Sequence, residues 1–386
     1  MQYREFGKLG FKVSTFGMGC MRLPLKKLEG GKTEYGQIDE KEAIAMVRYA
    51  ADHGVNYFDT AYAYHDGNSE KVLGKALKGG YREKVKLATK LPVWKVEKYE
   101  DFDKILDEQL KRLEVDFVDF YLLHSLSADS WKKAKRLGAL EFLDRAVESG
   151  KIKHPGFSFH DRVEIFRNII DSYDRWSMCQ VQYNILDEHA QAGIEGIKYA
   201  ASKGIPVVIM EPLRGGRLVN GISADIKAVW DKTDIKRSPA EWAFRWVCNH
   251  PEVTVILSGV STMEQLKDNI RIFENALPGS MTDKELAIVK EVQECYKSKI
   301  KVGCTGCRYC MPCPSGVQID STFSLYDTAM LFDNLAGNRE RYKKEYIDKG
   351  KDATLCVECG HCESVCPQHI PIIEKLKEAH KVLSGA

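Results

Sequence analysis

The sequence predicts an α/β protein: a (β/α)₈ TIM barrel over residues 1–300, followed by a small helical, cysteine-rich C-terminal domain over residues 301–386. Three observations carry this. Short β-branched and aromatic runs alternate with amphipathic segments up to about residue 300, as repeated strand and helix units around a parallel sheet do. Eight such runs can be counted, and eight suggests a closed barrel rather than an open sheet. Near residue 300 the pattern changes abruptly to a stretch beginning Gly303-Cys304-Thr305-Gly306-Cys307. A chain of 386 residues exceeds one ordinary core, whereas a barrel of roughly 250 to 300 residues with an appended module fits.

The expected strands are Ser14 to Gly19, Asn56 to Thr60, Lys86 to Lys90, Val118 to His124, Lys153 to Ser158, Met178 to Tyr183, Pro206 to Met210 and Val253 to Ser258. Between them, Glu40 to His53, Phe102 to Leu113 and Pro239 to Cys248 repeat apolar residues every three and four positions. That spacing gives outer helices with one buried face.

Composition narrows the partners. The 57 Lys and Arg nearly balance the 55 Asp and Glu, which leaves no electrostatic footprint for nucleic acid or an acidic membrane surface. A small-molecule partner is expected. The opening Met1-Gln2-Tyr3-Arg4-Glu5-Phe6-Gly7 has no apolar run behind its charges and does not read as a secretory signal. No run of 18 or more apolar residues suggests a membrane span. Most of the 12 cysteines crowd into the C-terminal domain at metal-ligand spacing, so a cytoplasmic, reducing setting is expected.

In such a barrel the active site lies where strands end, so polar residues that terminate strands are catalytic candidates. Asp59, Lys90 and His124 each close a strand, and Tyr64 follows Asp59 in the next loop. Any one alone reads more readily as a satisfied polar residue. Together they are harder to dismiss, because a Lys on an apolar strand must reach water or a carboxylate. Asp59 is the obvious partner. A cation beside Tyr64 is expected to lower its pKa from about 10, making the phenol a usable proton donor.

Phe58-Asp59-Thr60-Ala61 with Tyr64, then Ala88-Thr89-Lys90, then Tyr121-Leu122-Leu123-His124, resemble the aldo-keto reductase tetrad in order and spacing. The resemblance covers roughly residues 1 to 300. It includes Gly67-Asn68-Ser69-Glu70, Gly156-Phe157-Ser158, Gln180-Val181-Gln182-Tyr183-Asn184 and Glu264-Gln265-Leu266-Lys267-Asp268-Asn269. It implies an NAD(P)H-dependent oxidoreductase that moves hydride between the nicotinamide and a carbonyl or alcohol substrate. Tyr64 would protonate the carbonyl oxygen and His124 would orient it. Ser158 and Gln180 would hold the carboxamide, Met210 would cover the ring, and the loop Glu211 to Arg217, with Leu213 and Gly215, would follow the pyrophosphate.

Three departures from that pattern stand out. Phe159 replaces an Asn, and Met210 an aromatic ring, although a thioether can also cover a flat ring. The segment Gly259 to Gln265 lacks the Arg or Lys that would grip a 2′-phosphate. The preference between NADH and NADPH is therefore open, with Arg214, Arg217 and Lys267 as candidates from elsewhere.

In the C-terminal domain, Cys356-x-x-Cys359-x-x-Cys362-x-x-x-Cys366-Pro367 has the bacterial ferredoxin spacing for a [4Fe-4S] cluster. The earlier run, Cys304, Cys307, Cys310 and Cys313, has one residue fewer before its last cysteine. Two runs imply two [4Fe-4S] clusters in a helical ferredoxin-like domain, with Asp320 to Leu335 as a helix between them. Zinc is the competing reading. By analogy with two-cluster ferredoxins the ligands cross, grouping Cys304, Cys307, Cys310 and Cys366, and Cys313, Cys356, Cys359 and Cys362. Cys20, Cys179, Cys248 and Cys295 read as small buried hydrophobes. The pairing with the barrel resembles aldo-keto reductases that carry 4Fe-4S domains. If the clusters exchange electrons, a redox partner protein is implied. The rival reading is an iron-sulfur electron-transfer protein whose barrel is a docking or sensory scaffold.

Overall fold

The computed structural model describes residues 1–385. Among the described residues there are ten strands: β1 Tyr3–Glu5, β2 Lys12–Ser14, β3 Phe16–Gly19, β4 Tyr57–Asp59, β5 Lys86–Leu91, β6 Val118–Leu126, β7 Ile152–Phe159, β8 Met178–Gln182, β9 Val207–Met210 and β10 Val253–Gly259. β3 to β10 pair in parallel as a closed barrel in which β10 joins both β9 and β3. All eight expected barrel strands are there, with helices between them.

The first expected strand, Ser14 to Gly19, is divided. Ser14 pairs antiparallel with Tyr3, whereas Phe16 pairs parallel with Ile256. The Ser14 hydroxyl donates to the Phe16 carbonyl at 2.7 Å, a local bond of the kind that interrupts a ladder. The resulting β1–β2 hairpin, which the sequence pattern did not reveal, delivers Phe6 and Val13 into a fully buried cluster with Tyr57, Phe120, Leu122, Met178 and Val208. Burying one such phenyl ring contributes roughly 1.5–3 kcal/mol. The barrel interior is crowded enough that a Cβ at Gly17 would lie 2.7 Å from both Val255 and Leu257.

The outer helices follow their sequence signals. Glu40–Asp52 starts where the Asp39 carboxylate accepts the Glu42 N–H, and it buries Ala43, Met46, Val47 and Ala50 on one face. Pro239–Cys248 starts with Ser238 as its cap and Pro in its first turn.

By packing, the chain forms two compact units: Met1–Gly215 with Arg237–Asp283, and Gly216–Lys236 with the residues from Lys284 on. Within the second, Lys299 reaches the Ser223 hydroxyl at 2.9 Å and the carboxylates of Asp225 and Asp333 at 3.2 and 3.1 Å. The helix expected over Asp320 to Leu335 is Ile319–Leu331, followed by a second helix, Leu335–Tyr342. Phe332 is the C-cap of the first, and Asn334 caps the second by accepting the Gly337 N–H at 3.1 Å. Val317, Ile319, Phe323, Tyr326, Tyr342 and Leu376 anchor this unit's own apolar core, and six of the eight motif cysteines pack against it. Cys20, Cys179 and Cys248 are buried, and Cys295 is partly exposed beside Asp225. Among the described residues no helix is long and apolar enough to cross a membrane.

Candidate active site

Parallel register brings the strand ends to one rim. Asp59 pairs with Ala88, Lys90 with Leu122, Ser158 with Gln180, and Gln182 with Met210. The Lys90 ammonium is 1% exposed and spends its three protons on Asp59 Oδ1 at 2.6 Å, the Thr60 carbonyl at 2.8 Å and the Tyr64 phenol oxygen at 3.3 Å. Burial works against its charge, yet Asp59 and Tyr64 overcome burial and raise its pKa. Lys90 is a fixed cation. The second carboxylate oxygen of Asp59 accepts from Gln180 Nε2 at 3.0 Å, so a residue expected on the cofactor also secures the ion pair.

The Tyr64 phenol departs from expectation. Its pKa is raised, not lowered, because burial and the Asp59 charge outweigh the pull of Lys90. The phenol therefore holds its proton across the ordinary pH range, which suits a donor. Immediately after it, His65 and Asp66 adopt left-handed backbone at φ 50° and 56°. His65 Nδ1 lies 2.6 Å from the Tyr35 carbonyl, and its ring stacks on Tyr35 at 4.6 Å. Two non-glycine residues in that region are strained and persist only where the surroundings hold them.

His124 sits within an irregularity in the β6–β7 ladder between Leu123 and Leu126. Ser125 has φ 56° and donates its N–H to the Ser158 hydroxyl at 2.7 Å. Such a bulge re-aims a side chain at a barrel rim. The imidazole packs 5.2 Å from the ring of Trp94 and 6.0 Å from that of Tyr64. Burial, Lys90 and His160 depress its pKa to about 3, so it is neutral, and its buried Nδ1 has no partner among the described residues.

Behind the tetrad lies a buried network that sequence reasoning missed. The Glu70 carboxylate accepts from the Thr89 hydroxyl and Gln109 Nε2, both at 2.7 Å, and from Arg112 at 3.2 Å. Gln109 also donates to the Lys90 carbonyl at 3.1 Å and accepts from the Tyr121 hydroxyl at 2.7 Å. This network clamps β5 on both sides of Lys90. The sequence signals were Glu70 within Gly67-Asn68-Ser69-Glu70, Thr89 within Ala88-Thr89-Lys90 and Tyr121 within Tyr121-Leu122-Leu123-His124, none of which marks Gln109 or Arg112. Ser69 itself donates to the Cys20 carbonyl at 2.9 Å.

The expected cofactor residues fall on the same rim. Ser158 and Gln180 are each 1% exposed. Ser158 accepts from Ser125 and keeps its own proton for another acceptor. Met210 ends β9 and is partly buried. Glu211 has φ 55°, and its carbonyl accepts from Arg214 N and Asn184 Nδ2 at 2.9 and 3.2 Å. Leu213 is partly buried and Gly215 is exposed with φ 69°. Phe159 is buried against Phe166, with ring centres 5.2 Å apart.

The three alternative phosphate cations are committed elsewhere. Arg214 pairs with Asp187 at 3.3 Å, Lys267 lies over the Tyr49 ring at 5.5 Å, and Arg217 lies over the Phe332 ring at 5.7 Å.

In the second unit the cysteines border two cavities. Cys304, Cys307, Cys310 and Cys366 line one with Ile319, Phe323 and Ile370. Cys313, Cys356, Cys359 and Cys362 line the other, which Cys310 also borders. The backbone N–H groups of Gly306 and Glu363 point at the sulfurs of Cys304 and Cys362. Among the described residues no three His, Cys, Asp or Glu side chains converge as they would on a single ion.

A parallel eight-stranded barrel with an Asp, Tyr, Lys and His constellation at its carboxyl rim defines a class of oxidoreductases. The sequence pattern of the Aldo/keto reductase family matches residues 16–294, and that of a 4Fe-4S dicluster domain matches residues 303–370. The chain belongs to the aldo/keto reductase family and carries a C-terminal 4Fe-4S domain.

It is 27% identical over 317 residues to probable aldo-keto reductase 1 of Glycine max, covering 74% of this chain and 87% of that one. It is 25% identical over 336 residues to the NADH-specific methylglyoxal reductase of Escherichia coli, covering 76% and 99%. L-galactose dehydrogenase of Arabidopsis thaliana is 26% identical over 323 residues, covering 77% and 96%. Among solved structures, the holo form of an aldo-keto reductase from Bacillus halodurans matches with a TM-score of 0.61 at 25% identity, covering 76% of this chain and 96% of that one. The scaffold-only reading is not favoured by relatives of this kind.

Proposed function

We propose that the barrel reduces a small carbonyl compound with NADH or NADPH, and in reverse oxidises the alcohol, using Asp59, Tyr64, Lys90 and His124. The observation that carries this reading is the Lys90 ammonium, bonded at once to the Asp59 carboxylate and the Tyr64 phenol. Bound dihydronicotinamide supplies a hydride to the carbonyl carbon. Tyr64 gives its proton to the carbonyl oxygen, and Lys90 stabilises the phenolate left behind. His124, held neutral, orients the carbonyl by hydrogen bonding instead of competing as the acid.

The donor set fits a nicotinamide. Ser158 retains a hydroxyl proton, Gln180 retains its amide oxygen, and Met210 offers a polarizable face beside them. Trp94 and Tyr35, 50% and 45% exposed, flank the site and suit an apolar or aromatic substrate surface. Oxidation of NADH and NADPH, followed over a panel of aldehydes and ketones, tests the reading. No turnover with any carbonyl in either direction would overturn it.

We further infer two [4Fe-4S] clusters with crossed ligation, one held by Cys304, Cys307, Cys310 and Cys366 and the other by Cys313, Cys356, Cys359 and Cys362. The grouping of these sulfurs around two apolar cavities supports this over a tetrahedral zinc site. A functional division near residue 300 agrees with the ends of the two family matches. A cytoplasmic setting suits the oxygen-sensitive clusters, and a one-electron protein partner suits a redox role for them. The near balance of 57 Lys and Arg against 55 Asp and Glu speaks against nucleic acid as a partner.

A further inference from the structure

The segment after β10 supplies no cation of its own, and Arg214, Lys267 and Arg217 are committed elsewhere. Arg22, in the turn that follows β3, is not. Its side chain lies flat over Gly259, where a Cβ would meet the Arg22 Cβ, Cγ and Cδ at 3.2, 3.3 and 3.4 Å. Its guanidinium continues to Gly215, where a Cβ would lie 2.9 Å from Arg22 Nη2. The backbone beneath is fixed, because the Ser261 hydroxyl donates to the Arg22 carbonyl at 2.8 Å. The residue is exposed, and its guanidinium has no hydrogen bond or ion pair among the described residues.

An arginine stem that bridges two rim loops, each with glycine beneath it, holds an unpaired cation in a set place. Five N–H donors in a planar fork match phosphate oxygens two at a time. Glycine at 259 and 215 leaves the stem and head the room they need. The head lies over the loop that follows β9, which points to the pyrophosphate common to both dinucleotides. The Ser261 N–H, by contrast, is turned to Gln265 Oε1 at 2.9 Å.

We infer that Arg22 is the cation that grips the dinucleotide pyrophosphate, so that this barrel binds its cofactor without a clamp for the 2′-phosphate. The inference rests on the nicotinamide reading above.

Fluorescence titration of the full-length, cluster-loaded protein with NADH, NADPH, ADP-ribose and adenosine tests it. Arg22→Gln should weaken NADH, NADPH and ADP-ribose alike by roughly 10- to 100-fold, the range for lost hydrogen bonds to a charged group. It should leave adenosine unchanged and flatten the salt dependence of NADH binding. Arg22→Lys should recover part of the loss. Equal affinities in wild type and Arg22→Gln, or weakening confined to NADPH, would overturn the assignment. If the wild-type protein binds neither dinucleotide, the nicotinamide reading fails instead.

Discussion

The Lys90 ammonium donates to the Tyr64 phenol oxygen at 3.3 Å while Asp59 accepts from it at 2.6 Å. Tyr64 thus receives a hydrogen bond on its oxygen and keeps its own proton for another acceptor. A phenol so placed loses that proton to a substrate more readily than to water, because its anion is stabilised where bulk solvent is excluded. The raised pKa of Tyr64 in the resting site favours the reductive direction, in which the residue must begin protonated.

Asp59→Asn should leave a buried ammonium without its anion. The pair is nearly inaccessible, with side chains 3% and 1% exposed, so the loss should cost about 3–5 kcal/mol. Urea unfolding reads the change, and the double variant Asp59→Asn, Lys90→Met should regain much of it. A single variant within about 1 kcal/mol of wild type would show that the pair is hydrated and weak.

The depressed pKa of His124 fixes the sign of a pH effect. Unfolded, its pKa returns to about 6.5. Its neutral, buried form stabilises the fold above that pH, and the contribution is lost as pH falls from 6.5 toward about 3. His124→Asn should therefore lose less thermal stability than wild type between pH 6.5 and 4. Parallel melting curves over that range would mean that His124 titrates normally.

The barrel was legible because its strands are short apolar runs, and Asp59, Lys90 and His124 because each is the polar residue that closes such a run in the sequence, although β5 and β6 continue to Leu91 and Leu126. Other parts depend on packing that no run of residues displays. The Glu70, Gln109, Arg112 and Thr89 network joins two helices to a strand, and their docking alone brings the side chains together. The pKa of Tyr64 took the opposite direction because the sequence shows its neighbouring cation but not the atoms that exclude water. Arg22 was overlooked as a phosphate ligand, since the phosphate grip was sought after β10 and Arg22 follows β3. In the C-terminal domain the cysteine spacing marked two sites, while the apolar core around Phe323 and Tyr342 lies in a stretch that reads only as one helix.

Anaerobically prepared protein should contain about eight iron and eight sulfide per chain. Cys366→Ser should reduce this to about four of each, and alkylation with mass spectrometry should then label Cys304, Cys307 and Cys310 while Cys356, Cys359 and Cys362 stay protected. Labelling of the second set instead would show that each run serves its own cluster. Zinc without sulfide would end the iron-sulfur reading.

Tyr64→Phe tests the central claim most directly, because it removes one proton and little else. With a carbonyl substrate identified by screening, single-turnover oxidation of bound NADH or NADPH should slow by about 10² to 10⁴, while dinucleotide affinity from fluorescence titration stays within about twofold. Unchanged turnover in the variant would contradict the assignment of Tyr64 as the proton donor, and with it the mechanism built on Lys90 and Asp59.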